Sequence, residues 1–376
     1  MNSLSDDSIL GKRVTQQDIG NDHRDIISFL AIAHNCDVDI LPILWQPTLN
    51  VLGWGATSLI NQSLINVHTS FAFKRTSSYL STNSISGRDV SKANFGSLIT
   101  EVLILRHPLI RNHANIIDLE GICWDSDGVW PVLVFQRAHL GDLQSFTNYK
   151  YDQSASLEIE LGLCTDISMA VMALHDCSIH FHLHSLNVTA DSACHRIDIV
   201  HGDIKPQNVL IFKDGKGGLQ AKLTDFGHSC LGKDENDPIY LPRSRPWNDP
   251  NWDDECFEIH EAKRMDIYSL GMVCLFVLCH STHTWSSSEP TTTIPGYDRP
   301  ISFQSIWEER NIDVFEDLKW RDLLPGIAHS LVSTIVSLDP ARQNSLAMFF
   351  SLTLAKKPDS RQPDCRKLIQ LLNPNQ

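Results

Sequence analysis

The period of apolar and polar positions changes along the chain, and the change divides it. From Asp25 to His34 the apolar residues Ile26, Ile27, Leu30 and Ala33 recur at helical spacing. From Leu41 to Lys74 the pattern is strand-like, with Gly53 and Gly55 between two apolar runs. Residues 76–97 are rich in Ser, Thr, Asn and Gly, which predicts a loop. A helix is predicted around Leu98–Leu105, then strands over Asn115–Cys123 and Trp130–Phe135. After Gly141 the character turns helical. Leu157–His175 carries Leu161, Ile167, Val171 and Leu174 on one amphipathic face. Val209–Phe212 and Ala221–Thr224 read as short strands, and Leu270–Cys279 as a buried helix too short to span a bilayer. A Ser/Thr/Pro-rich insert occupies 281–300, and no internal repeat is visible. A strand-rich first third before a helix-rich remainder predicts two unequal lobes.

Composition narrows the classes. With 376 residues, 42% hydrophobic and 20% charged, the chain can build a sizeable core and is not a disordered polymer. A net charge of −14 repels phosphate backbones, so neither nucleic acid nor anionic membrane is an expected partner. Ten cysteines are scattered without a CxxC pair, several in apolar runs. That spacing fits buried thiols in a reducing compartment, hence an intracellular, cytoplasmic location. The polar start, Met1–Arg13, is expected not to be a secretory signal. Nothing in the sequence speaks to oligomeric state.

The strongest chemical signal is His201-Gly202-Asp203-Ile204-Lys205-Pro206-Gln207-Asn208, followed by Asp225-Phe226-Gly227. Phosphoryl transfer needs positioning and charge neutralisation more than covalent chemistry. An Asp must take the proton of the attacking hydroxyl, a cation must sit by the γ-phosphate, and hard oxygens must hold Mg²⁺. Asp203, Lys205, Asn208 and Asp225 have the types and order for those roles.

These elements resemble those of the eukaryotic protein kinase family, serine/threonine type, over roughly residues 41–373. The general style is similar to kinase domains of filamentous fungi. The resemblance implies an α+β, bilobal protein kinase fold, with a small antiparallel β-rich N-lobe and a larger helical C-lobe. Residues 1–40 would be an N-terminal extension with a short helix, 41–138 the N-lobe and 139–376 the C-lobe. It implies transfer of the γ-phosphoryl of ATP, with Mg²⁺, to protein Ser/Thr hydroxyls. Asp203 and Lys205 would be catalytic, and Asn208 and Asp225 would hold the metal. Gly53 and Gly55 resemble the phosphate loop, whose third glycine position is Ser58. Lys74 resembles the lysine on the α/β-phosphates, Glu101 its ion-pair partner, and Gln136 and Ala138 the adenine-binding hinge beyond Phe135. Asp266 resembles the buried Asp that holds the catalytic loop, and Arg361 the late structural Arg. Tyrosine kinases usually replace the residue at Lys205, so its presence favours Ser/Thr.

Several positions depart from the pattern. Gly202 stands where many kinases carry an Arg that pairs with a phosphorylated activation loop, so activity is expected without that phosphorylation. Loop sites to consider are Ser229, Tyr240 and Ser244, with Arg243 and Arg245 as other cations. Asp249-Pro250-Asn251 replaces Ala-Pro-Glu, and Asn251 cannot form the ion pair that the family's Glu makes with the late Arg. The alternative readings are therefore a pseudokinase acting as a nucleotide-binding scaffold, and a small-molecule kinase, whose HGD triplet is similar. The acidic run Asp249–Glu261 reads as a solvated loop that could repel acidic substrates.

Residues 178–198 lengthen a connection that the resemblance implies is short, by about twenty residues. The cluster His175, Cys177, His180, His182, His184, Cys194 and His195 fits no zinc spacing. One reading is a genuine surface loop, which slow growth of loop entropy with length allows; the other, preferred one is a retained intron. Ser178-Ile179 can be encoded with a GTATA donor, Ala190-Asp191 with a CTGAC branch point, and Ile197-Asp198 with an acceptor AG. Excision keeps the frame and yields Leu-His-Asp-Cys-Asn-Ile-Val-His-Gly-Asp, the spacing that the family implies.

Overall fold

The computed structural model describes residues 26–45, 50–54, 58–64, 70–76, 87–125, 130–148, 156–180, 196–215, 217–232, 238–252, 256–280, 291–292, 301–302, 305–307 and 311–373. In chain order the elements begin α1 (Ile26–Asn35), β1 (Ile40–Trp45), β2 (Asn50–Trp54), β3 (Ser58–Leu64), β4 (Ser70–Thr76) and α2 (Gly87–Leu105). There follow β5 (Leu119–Asp125), β6 (Pro131–Gln136), α3 (Leu143–Asn148), α4 (Leu157–Asp176), β7 (Ser178–His180) and β8 (Arg196–Val200). Then come β9 (Val209–Lys213), β10 (Leu219–Leu223), β11 (Cys230–Gly232), α5 (Ile259–Cys279), α6 (Ile312–Trp320), α7 (Leu324–Ser333), α8 (Pro340–Thr353) and α9 (Cys365–Leu372). The chain divides into two compact units. One takes in the described residues up to Arg137 with Leu174–Val200 and Asp225–Ile239, and the other holds the rest.

The first unit is built on a six-stranded sheet of order β1-β5-β6-β4-β3-β2. Its pairings are antiparallel except β1 with β5, which is parallel. Alternation along β4 does the positioning. Phe71 and Phe73 pack on one face with Leu41, Ile43, Cys123, Val132 and Val134. Lys74, one residue on, must therefore point to the other face. Helix α2 supplies its partner there. α1 packs against α2 through buried Phe29, whose ring centroid lies 6.3 Å from that of Phe95; Phe95 stacks on Trp130 at 4.7 Å. A small sheet of order β11-β8-β7 completes the unit.

Two expectations change. Helix α2 starts at Gly87, so it takes in 87–97, which composition read as loop. Ser, Asn and Gly each cost a helix less than about 1 kcal/mol, and burial of Phe95, Leu98, Ile99 and Val102 outweighs that. Residues 115–118 are not strand, because the turn at His113 claims their backbone: the amides of Asn115 and Ile116 donate to His113 Nδ1 and O, both at 3.2 Å.

The second unit is helical, with the β9–β10 hairpin as its ladder. Every residue from Met265 to Cys279 in α5 is buried, so this helix is the unit's axis. Its N-terminus carries a capping box, Glu258 and Glu261 each accepting a backbone amide. Asp339 caps α8 by accepting from Arg342 N at 3.0 Å. Among the described residues no helix is long and apolar enough to cross a membrane.

Candidate active site

In the first unit, Lys74 on β4, Glu101 on α2 and Asp225 after β10 meet. Lys74 Nζ donates to Glu101 Oε1 and Oε2 at 2.8 and 2.7 Å and to Asp225 Oδ1 at 2.7 Å. Burial alone would pull the ammonium down, but Asp225 and Glu101 overturn this and raise its pKa. Burial raises Glu101, with Lys74 opposing and Asp225 adding to the rise. One cation thus serves two carboxylates, and a negative charge is left over at the cluster.

The Asp225 segment is seated by backbone geometry. Asp225 adopts a left-handed φ of 66°, and Phe226 behind it is fully buried. Gly227 then passes under α2, where Ser97 Oγ donates to its carbonyl at 2.9 Å. A Cβ on Gly227 would stand 2.3 Å from Ser97 Oγ and 3.7 Å from Glu101 Oε2. Only glycine lets the helix bearing Glu101 come this close.

In the second unit, the loop after β8 is held from below. Asp266, nearly fully buried in α5, accepts from His201 N at 2.8 Å and Gly202 N at 2.9 Å. These two amides satisfy a carboxylate that an apolar helix could not otherwise bury. His201 Nε2 donates to Thr224 O at 3.1 Å, and its Nδ1 accepts from Asp203 N at 3.2 Å. The loop so fixed presents Asp203. Its Oδ2 accepts from Lys205 Nζ at 2.7 Å and Asn208 Nδ2 at 3.2 Å, and its Oδ1 accepts from Ser244 Oγ at 2.6 Å. Asn208 Nδ2 also donates to the Asp203 carbonyl at 2.8 Å. With its nitrogen turned to Asp203, the Asn208 amide has its oxygen on the opposite side. An amide oxygen and a carboxylate are each the type of hard donor that Mg²⁺ takes.

The remaining expected residues are placed as follows. Gly53 is in β2, next to a register shift between Val51 and Gly53. Gly55 lies outside the described residues, and Ser58 opens β3. Gln136 ends β6, exposed, opposite Phe71 of β4. Phe135 and Ala138 are buried. Of the histidine cluster, 181–195 lies outside the described residues.

Asn251 makes no ion pair with Arg361, as expected, yet Arg361 is not left without a carboxylate. Arg361 is fully buried and forms its ion pair with Asp249, whose side chain is also fully buried. Its Nη2 donates to Lys356 O at 2.8 Å, and its guanidinium lies 4.7 Å over the Tyr268 ring. Asn251 Nδ2 donates to Asp249 Oδ1 at 2.9 Å and joins Arg361 on the Lys356 carbonyl at 2.6 Å. The carboxylate has moved two residues upstream and the pair survives.

The model of the protein kinase domain matches residues 48–369. The chain belongs to the protein kinase domain family. It is similar to the human serine/threonine-protein kinase ULK3, 25% identical over 285 residues, 76% of this chain and 51% of that protein. It is also similar to a calcium and calcium/calmodulin-dependent serine/threonine-protein kinase of Lotus japonicus, 23% identical over 293 residues, 73% of this chain and 46% of that protein. The kinase chain thus spans about half the length of these curated relatives.

Sequence reasoning missed three members of this kinase site. Ser244 was expected only as a phosphorylation site, and its bond to Asp203 spans 41 residues with no periodic signal. Ser97 sits in the stretch read as loop. Asp249 was legible only as the acidic residue of a Asp-Pro-Asn triplet.

Proposed function

We propose that this chain is a serine/threonine protein kinase transferring the γ-phosphoryl of ATP to protein hydroxyls, with 41–138 as its N-lobe and 139–376 as its C-lobe. The observation that carries the reading is the Lys74 ammonium fixed by both Glu101 and Asp225. An ammonium so oriented offers its charge to phosphate oxygens without further reorganisation. Asp203 takes the proton of the acceptor hydroxyl, and Lys205 beside it stabilises charge on the transferred group. Ser244 and Lys205 hold the Asp203 carboxylate in one orientation beforehand. Asp225 and Asn208 supply oxygens to Mg²⁺, which when bound neutralises phosphate charge. Gly53 and Gly55 bring backbone to the phosphates, and Gln136 and Ala138 bring it to the adenine. Lys205 and a hydroxyl residue at 244 support Ser/Thr acceptors. The scattered cysteines and net charge of −14 support a cytoplasmic protein without nucleic-acid or anionic-membrane partners.

Radiolabelled ATP with Mg²⁺ and generic protein substrates tests the reading. Wild type is expected to transfer label, and Asp203→Asn and Lys74→Met to lose roughly a hundredfold or more. Transfer retained by Asp203→Asn would sink the catalytic assignment. Nucleotide binding without transfer by wild type would make the chain a scaffold instead.

A further inference from the structure

Segment 241–247 has buried ends, and between them half-buried and exposed side chains alternate. Leu241 and Trp247 are buried, Ser244 reaches Asp203, and Arg243 and Arg245 on either side of Ser244 are exposed. Arg245 has a carboxylate at hand, its Nε 3.8 Å from Glu316. Among the described residues no carboxylate pairs with Arg243. Its guanidinium lies over the Trp252 ring, 4.9 Å from the centroid. Trp252 is itself tied to the segment, its indole N–H donating to Leu241 O at 3.0 Å. Stacking uses the flat face of a guanidinium and leaves the in-plane N–H groups for another acceptor. The described carboxylates of this region are already committed: Asp249 to Arg361, Glu316 to Lys319, Asp317 to Arg321, and Glu258 and Glu261 to the cap of α5. Arg243 also rims an open cavity of about 380 Å³ whose wall includes Trp252 and Trp320 together with the committed carboxylates Asp249, Glu316 and Asp317.

We propose that Arg243 selects protein substrates with an anionic side chain immediately beside the acceptor Ser or Thr. The inference rests on Asp203 being the group that takes the acceptor's proton. A hydroxyl handing a proton to Asp203 comes within about 3 Å of its carboxylate. The Ser244 hydroxyl is already at 2.6 Å from that carboxylate, so residues 243–244 border the same spot. The next residue of an extended peptide is only ~3.4 Å further on, within the span of an Arg side chain. A carboxylate or phosphate there meets donors arranged for a bidentate pair, whereas Lys or Arg meets like charge. Net charge cannot supply this preference, because −14 disfavours acidic peptides in general.

The test uses the full chain and peptides differing only at the residues flanking the acceptor, on either side: Asp, Glu, phosphoserine, Ala or Lys. The readout is the ratio of kcat/KM for each peptide to that for the Ala peptide. Wild type is expected to favour Asp and Glu about fivefold, the size of one exposed ion pair, with the preference shrinking in high salt. A larger ratio for phosphoserine would make phosphate the preferred anion. In Arg243→Gln the ratio falls to near one, and in Arg243→Glu it turns towards Lys. The same peptides with Ala as acceptor, followed by fluorescence anisotropy, report binding without chemistry. Transfer to none of the peptides would defeat the kinase reading alone, since the anisotropy ratios still decide on Arg243. No acidic preference in wild type, or one that survives Arg243→Glu, overturns the proposal.

Discussion

Gly202 adopts a φ of 78°, a region that costs a residue with a Cβ about 1 kcal/mol, and its amide is spent on Asp266. The position is therefore constrained by backbone geometry as well as by what its side chain would reach. Gly202→Arg is expected to lower stability by ~1 kcal/mol, a fall of about 2–4 °C in thermal midpoint. An unchanged midpoint would show that the turn relaxes. Of the three loop sites, Ser229 is fully buried, Ser244 is bonded to Asp203, and Tyr240 is exposed. Ser244→Ala is thus a test of Asp203 orientation, not of phosphorylation. It is expected to reduce kcat by roughly tenfold, with Ser244→Thr restoring it, while Ser244→Asp abolishes transfer by repelling Asp203. Equal kcat in Ser244→Ala and wild type would remove Ser244 from the site. Phosphatase treatment is expected to leave wild-type activity intact, since Gly202 offers no cation to a loop phosphate.

Asp249 is tied to Arg361 by one buried ion pair, and Arg361 to helix α5 by donating to the Arg264 carbonyl at 3.1 Å, so which residue supplies the carboxylate decides where this junction is vulnerable. Asp249→Ala leaves Arg361 charged and buried, a loss of about 3–5 kcal/mol, whereas Asn251→Ala removes only hydrogen bonds, about 1 kcal/mol. Denaturant midpoints for the two variants check the order, and a larger loss at Asn251 would contradict the pairing. The β7–β8 connection shows a second element-scale effect. Ser178 pairs with Asp198 and Ile179 with Ile197, so the two ends of the 178–198 stretch lie side by side. Cys177 before it and Ile199 after it are buried, and Ile199 pairs with Leu231 of β11. Replacing 178–198 by a single Asn is expected to preserve the thermal midpoint within about 2 °C, because the buried flanks Cys177 and Ile199 are kept. Transcript sequencing is expected to show message lacking these codons, as a retained intron requires. Abundant message carrying them would make the hairpin a genuine insertion.

For the whole molecule, the charge imbalance around Lys74 makes stability depend on pH in a specific direction. Burial raises Glu101 above its ordinary 4.5, so the folded chain binds that proton more tightly than the unfolded chain does. The stabilising contribution is full below 4.5 and is lost as pH rises through the raised pKa. Compared with wild type, Glu101→Gln is expected to show a thermal midpoint that falls less with rising pH across this window. Parallel curves from pH 4 to 8 would refute the imbalance. The sequence by itself determined the family-bearing motifs, the α+β division and the strand–helix order. These rest on residue type at short spacing and on periods that local geometry imposes on the chain. Asp203, Lys205 and Asn208 lie within one loop, so their meeting was legible. Lys74 with Glu101 was legible only through the resemblance, because 27 residues separate the partners, and the bond of Lys74 to Asp225, 151 residues away, was not expected. Tertiary structure alone decided that α2 begins at Gly87, that Ser244 orients Asp203, and that Asp249 rather than Asn251 meets Arg361. In each case burial among residues distant in sequence chose the partner, and local pattern carries no record of that choice.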